Sequence, residues 1–136
     1  MQKAVLGSEK VIGSVRDLKV YQQSYLLAMR VFELSKRFPK EETYSLTDQI
    51  RRSSRAVAID IREGFAKKKY RPVFLRFLND ALGSSNETRG WLDFSRDCGY
   101  LSSDEHQHLD RGYDEVNAML YGLSRNWRDF SETESP

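Results

Sequence analysis

Proline occurs only at Pro39, Pro72 and the final Pro136, so three long stretches of the chain contain no helix breaker. The single cysteine, Cys98, excludes an internal disulfide and any cysteine-built zinc site, and suits a reducing compartment. No apolar run approaches the roughly 20 residues that span a membrane. The opening MQKAVLGSEKVIGSVR also lacks a continuous apolar core of signal-peptide length. The cytoplasm is the expected location. Neither sign of charge dominates, since 22 Lys and Arg face 20 Asp and Glu, a net of +2. With 136 residues, 39% apolar and 12% aromatic, the chain is expected to be one ordered domain with a real core.

What is present is helical periodicity. From Asp17, a candidate N-cap, to Phe38 two apolar rows run at helix spacing: Leu18, Tyr21, Tyr25, Ala28, Phe32 and Val20, Leu27, Val31, Leu34, Phe38. Two rows exceed one packing face and imply a second partner for this helix. A second helix starts at Ser45, with Asp48 placed for a near capping box, and carries the stripe Leu46, Ile50, Val57, Ile61, Phe65. The third has Pro72 near its first position, an inner face of Phe74, Leu78, Ala81, Leu82, Ser85, Leu92 and Cys98, and Gly99 as its C′ residue. Gly83 interrupts it at a cost of ~1 kcal/mol relative to Ala, which a close helix approach would explain. The fourth is capped by Ser102 or Ser103. Its seam of Leu109, Tyr113, Val116, Leu120, Leu123, Trp127 and Phe130 alternates steps of four and three. The predicted fold is all-α, an antiparallel up-and-down four-helix bundle over residues 17–130, with no competing strand pattern. A flexible N-terminal arm (1–16) and a flexible C-terminal tail (131–136) flank it.

Charge is segregated. Between Arg51 and Arg76 stand six Arg and three Lys against Asp60 and Glu63, a balance of +7; the other thirteen bases and eighteen acids balance at −5. At about 100° per residue, Arg51, Arg55 and Arg62 fall within about 40° of one another, roughly opposite the Ile50, Val57, Ile61 stripe. Lys67, Lys68, Lys69 and Arg71 continue the strip into the following loop. Such a strip neutralises backbone phosphates, and guanidinium forks hold phosphate oxygens bidentately. The same charges suit a solvated bundle face, or ion pairs with acids such as Asp93, Asp97, Asp104 and Glu105 on neighbouring helices or subunits. Both readings stay open on the residues alone.

Signals for catalysis or a bound cofactor are weak. His106 and His108 point about 200° apart on a helix and cannot share one metal by that geometry. His106 extends the seam of the fourth helix and reads as a packed histidine. Asp104, Glu105, Asp110, Asp114 and Glu115 do not supply the paired Glu-x-x-His motifs of di-iron bundles. Around Gly83, Ser84 and Ser85 the strand and glycine pattern of a phosphate loop are absent. Cys98 has no sequence-evident base and reads as a small packed residue. The Tyr and Trp rows read as core or interface. No enzyme activity, metal, cofactor or small-molecule substrate is expected.

The stretches LTDQIRRSSRAVAIDIREGF, FLRFLNDALGSSNE and DCGYL, in that order, resemble the four-helix-bundle family encoded in intervening sequences of bacterial 23S rRNA genes. The resemblance runs over roughly residues 16–128. It is most specific at Leu46, Gln49, Ile50, Arg51, Arg52, Ile61, Glu63 and Gly64, and again at Phe77, Leu78, Ala81, Leu82, Gly83, Ser84 and Glu87. It implies an antiparallel bundle assembling as a homo-pentamer. A fold-level similarity to accessory variability proteins of retroelements adds nucleic acid and a nucleoprotein as candidate partners. Within the motif, Gln49, Arg51, Arg52, Glu63 and Glu87 are expected as structural or interface polar residues, with Gln49, Arg51, Arg52 and Glu87 in a network between helices two and three. Arg55 and Arg62 depart from the family pattern. With Lys67, Lys68, Lys69 and Arg71 they form the expected site for RNA or DNA. The alternative is a structural or protein-interaction module whose segregated charge guides ring assembly.

Overall fold

Four apolar stripes at helical spacing cannot be buried singly, and the chain buries them against one another. The structure, a computed structural model, describes residues 4–5 and 11–129, with side chains for residues 12–127. Its helices are α1 (Lys19–Ser35), α2 (Leu46–Ala66), α3 (Arg71–Asp97) and α4 (Ser103–Asn126), and the fold is all-α. α1 packs on α2 and α4, and α3 packs on the same two, so α1 and α3 stand at diagonal corners. This gives α1 the second partner that its two apolar rows required. Ile50, Val57 and Ile61 of α2 meet Phe74, Leu78 and Leu92 of α3 and Leu109, Tyr113, Val116 and Leu120 of α4 in one core. Every described member of the α4 seam is buried, His106 included. Phe130 and the tail 131–136 lie outside the described residues.

The helix ends follow local chemistry, with three departures from expectation. Ser102 caps α4 in a reciprocal box: its Oγ accepts from Glu105 N–H at 3.0 Å, and its own N–H donates to Glu105 Oε1 at 2.9 Å. Gly99 (φ +83°) ends α3, with Tyr100 N–H donating to Ser95 O and Gly99 N–H to Arg96 O at 2.8 and 2.9 Å. Asp17, expected to cap α1, instead closes a 3-10 turn (Val15–Asp17) with Ser14, and α1 starts one residue later. Ser45 precedes α2 but makes no side-chain cap; Glu42 Oε1 accepts from Leu46 N–H at 3.3 Å in its place. Cys98, expected inside, is exposed, because the helix ends there and its inner face stops at Ser95.

The N-terminal segment, expected as an arm, sends Ile12 and Val15 into the core. Three two-residue strands that the sequence did not signal, β1 (Ala4–Val5), β2 (Val11–Ile12) and β3 (Arg128–Asp129), pair antiparallel in the order β2-β1-β3. Ala4 stands opposite both Ile12 and Asp129, so the segment before α1 joins the residues that follow α4. Pairs this short carry no periodicity to read.

The close helix approach expected at Gly83 lies elsewhere. Gly83 faces open space, whereas a Cβ on Gly64 would stand 2.7 Å from Phe77 Cβ and 3.3 Å from Phe74 Cδ1. Gly64→Ala is expected to destabilise the fold by ~1–3 kcal/mol through overpacking, while Gly83→Ala stabilises it by ~0.5–1 kcal/mol. Paired urea unfolding curves check the opposite signs. Arg37 donates to Glu105 at 2.8 Å, and chiefly through this bond Glu105 is held down to about 2. Because the folded carboxyl titrates below its unfolded value of about 4.3, its stabilisation is present above that pH and is lost on acidification toward pH 2. Thermal melts across pH 2–6 should show a shallower acid limb for Glu105→Gln than for the wild type.

Candidate nucleic-acid interface

With Ile50, Val57 and Ile61 turned inward, the outer faces of α2 are fixed. The face beside α1 carries the arginines. Arg51 and Arg55 lie over the Phe32 ring, at 4.9 and 5.6 Å from its centroid, and Arg62 lies 5.9 Å from the Tyr21 ring. Their stems therefore lie along an aromatic row of α1 while the heads of Arg55 and Arg62 stay exposed. Arg51 differs: it is half-buried, and its Nε donates to Ser35 Oγ at 2.8 Å. Arg62 Nη1 donates to Tyr21 Oη at 3.1 Å. The face beside α3 is acidic, with Asp60 accepting from Ser84 Oγ at 3.2 Å. Desolvation pushes the Asp60 carboxyl upward against that hydrogen bond, and Asp80 and Glu63 push the same way.

Lys67 and Lys69 are exposed in the turn after α2, and Lys68 is half-buried with its Nζ 4.6 Å from the Phe65 ring centroid. None of Arg16, Arg55, Arg62, Lys67 and Lys69 is ion-paired among the described residues.

Arg71 does not belong with them. Its guanidinium donates to Trp127 O and, at 3.0 Å, to Ser124 O, which closes the C-terminus of α4. Trp127 is fully buried between Phe65 and Phe74, with ring centroids at 5.9 and 4.8 Å. This arginine is a structural tie. Nothing in its sequence neighbourhood marked it as different from the lysines before it, because its partners lie more than fifty residues away.

Among the described residues, Gln49, Arg51, Arg52 and Glu87 form no hydrogen bond or ion pair between α2 and α3. Arg51 turns to α1, and Arg52 reaches only Asp48 of its own helix at 3.7 Å. Glu87 accepts from Trp91 Nε1 at 3.0 Å, also within its own helix. Gln49 and Glu63 are exposed. The α2–α3 contact is mainly apolar, and its buried polar link is a hydrogen bond from Thr88 Oγ1 to Ser53 Oγ at 2.9 Å.

A concavity of about 700 Å³, lined by Arg16, Tyr21, Gln22, Tyr25, Leu26 and Arg62, opens where the turn before α1 meets the end of α2. Arg16 was assigned to the arm and the tyrosines to packing rows, so sequence reasoning missed this grouping. Tyr21 is buried as expected, but Tyr25 is 52% exposed. The signal available was the width of the apolar surface on α1, which is more than two neighbouring helices cover.

Between α3 and α4, ligand atoms of Asp93, His106 and Asp110 lie within 4.8 Å of one another. His106 Nε2 is 2.7 Å from Asp93 Oδ1, and Arg89 binds both Asp110 oxygens at 2.8 and 3.1 Å. Arg96 Nη1 stands 3.4 Å from both His106 ring nitrogens. Two guanidiniums beside the three groups oppose a bound cation, and the arrangement acts as an ion-pair network tying α3 to α4.

Helical packing and a run of exposed basic residues along α2 and the turn after it define a helical-bundle protein with one cationic face. The chain belongs to the 23S rRNA-intervening sequence protein family, whose model matches residues 16–122. It is similar to a crystal structure from Bacteroides thetaiotaomicron described as a protein of unknown function from the S23 ribosomal protein family. The two are 27% identical with a TM-score of 0.71, over 79% of this chain and 99% of that one. No curated protein matches the chain. Among the described residues no helix is long and apolar enough to cross a membrane.

Arg71→Ala should lower stability by ~1–3 kcal/mol, since it takes the guanidinium donors from part-buried carbonyls at the end of α4. Lys69→Ala should change it by less than ~0.5 kcal/mol. Urea midpoints of the two variants check the contrast.

Proposed function

We propose that this chain is a non-catalytic, antiparallel up-and-down bundle that assembles as a homo-pentamer in the cytoplasm. In this reading it binds RNA or DNA, bare or within a nucleoprotein, through Arg55, Arg62, Lys67, Lys68 and Lys69. The observation that carries the reading is that four of these five heads, those of Arg55, Arg62, Lys67 and Lys69, are exposed without a carboxylate partner among the described residues, while Arg71, Arg89 and Arg37 of the same bundle are bonded. Free cations on one surface are what phosphate neutralisation requires. The antiparallel order is supported by pairing of the start of α1 with the end of α2 (Tyr21 with Arg62) and of its end with the start of α2 (Ser35 with Arg51). A ring in turn multiplies one weak strip into five.

A second reading, a structural module whose surface serves ring assembly, is favoured by one observation. Leu26 (68% exposed) and Met29 (45%) on α1 and Phe94 (59%) on α3 are apolar faces on diagonal corners. A cyclic ring needs two different patches on each protomer. The two readings make different demands on Lys67, Lys68 and Lys69. Changed together to Glu, they should abolish binding of a labelled single-stranded RNA while light scattering reports an unchanged assembly. Wild-type affinity should fall about 100-fold between 50 and 200 mM salt if about five phosphates are neutralised. Absence of salt-sensitive wild-type binding would reject the nucleic-acid reading, and collapse of the assembly in the variant would favour the second.

A further inference from the structure

We propose that the concavity at the junction of α1 and α2 receives one unpaired nucleotide of a single-stranded nucleic acid, its base against Tyr25 and its phosphate between Arg16 and Arg62. This inference rests on the nucleic-acid reading and specifies how that surface takes hold of a strand. The volume of about 700 Å³ lies within the range of small-ligand sites and exceeds what one ion needs. Its lining sets aromatic and apolar groups, Tyr21, Tyr25 and Leu26, beside two guanidiniums, those of Arg16 and Arg62, the two kinds of group a nucleotide's base and phosphate require.

The aromatic part is prepared. Tyr21 is 8% exposed and Tyr25 is 52% exposed, with ring centroids 6.2 Å apart and planes tilted by 46°. The buried ring backs the exposed one and leaves it a free face, on which an unstacked base can lie regardless of its identity. The cationic part is also prepared. Arg62 is held by the Tyr21 hydroxyl at 3.1 Å, and the turn carrying Arg16 is fixed by Gln22 Nε2 donating to Arg16 O at 2.6 Å. Neither guanidinium has a carboxylate partner among the described residues, and no acid lines the concavity. An apolar side chain from a second copy of this chain would fill the same space but would strip water from two charged groups without pairing them. A duplex keeps its base faces stacked and cannot offer one to Tyr25.

The test is fluorescence anisotropy with a labelled 12-nucleotide RNA, the same sequence as DNA, and the duplex of each, with AMP as competitor. Tyr25 is exposed, so Tyr25→Ala should leave the circular dichroism and melting curve unchanged. The structure predicts preference for single strands over duplexes, a loss of roughly 5- to 150-fold in single-strand affinity for Tyr25→Ala, and retention of affinity in Tyr25→Phe. The loss should be similar at 50 and 200 mM salt, unlike the loss on changing Lys67 and Lys69 to Glu. Unchanged single-strand binding by Tyr25→Ala, with binding lost in the lysine variant, would overturn the pocket while leaving the basic surface in place. A wild type that binds none of the probes would overturn both. AMP displacing the strand at the strand's own concentration would make the ligand a free nucleotide and overturn the strand assignment. A fall in assembly mass for Tyr25→Ala, with strand binding intact, would assign the concavity to an interface between copies.

Discussion

The rotation of α2 about its own axis is the constraint on which the other features depend. Ile50, Val57 and Ile61 are at most 1% exposed, and Gly64 brings the helix too close to Phe77 for even a methyl group. Burying that stripe stabilises the bundle by roughly 1.5–3 kcal/mol for each large side chain. No other rotation keeps those contacts. Once the stripe is fixed, Arg55, Ile59 and Arg62 must follow the aromatic row of α1, and Asp60 and Glu63 must turn toward α3. Packing therefore determines the aim of the charges before any ligand is considered.

That aim sorts the basic residues into two groups with different physics. Arg51, Arg71 and Arg89 spend their donors on Ser35, on the last carbonyls of α4 and on Asp110. They tie helix to helix. Arg16, Arg55, Arg62, Lys67 and Lys69 are exposed and have no carboxylate partner among the described residues, and rings of α1 limit where the charges of Arg55 and Arg62 can go. Partial positioning of this kind reduces the entropy lost when a phosphate arrives. A net charge of +2 for the whole chain conceals this division.

The helices were legible because their apolar periodicity is strong: every described seam residue from Leu109 to Trp127 is buried, as are Leu46, Ile50, Val57, Ile61 and Phe65. The family was legible in short motifs for the same reason, since several of those residues define the core. Helix ends were less so. Asp17 and Ser45 both have cap chemistry, but Ser14 takes the first and Glu42 replaces the second, choices decided by neighbours a few residues away. Least legible was the fate of individual polar groups. Arg71 and Lys69 look alike in sequence, and only the distant end of α4 separates them. Asp93 and His106 lie thirteen residues apart on different helices, so no helical spacing rule connects them. The concavity was missed because Arg16 was read as part of an arm, and docking of Ile12 and Val15 is what brings it to α1.

The division of the arginines is the central claim, and timed modification by an arginine-selective dicarbonyl, mapped by mass spectrometry, tests it most directly. Arg16, Arg55 and Arg62 should react first, Arg51, Arg71 and Arg89 last, and added single-stranded RNA should protect Arg16 and Arg62 selectively. Reaction of Arg71 as fast as Arg55, or strand protection that spares Arg16 and Arg62, would contradict it.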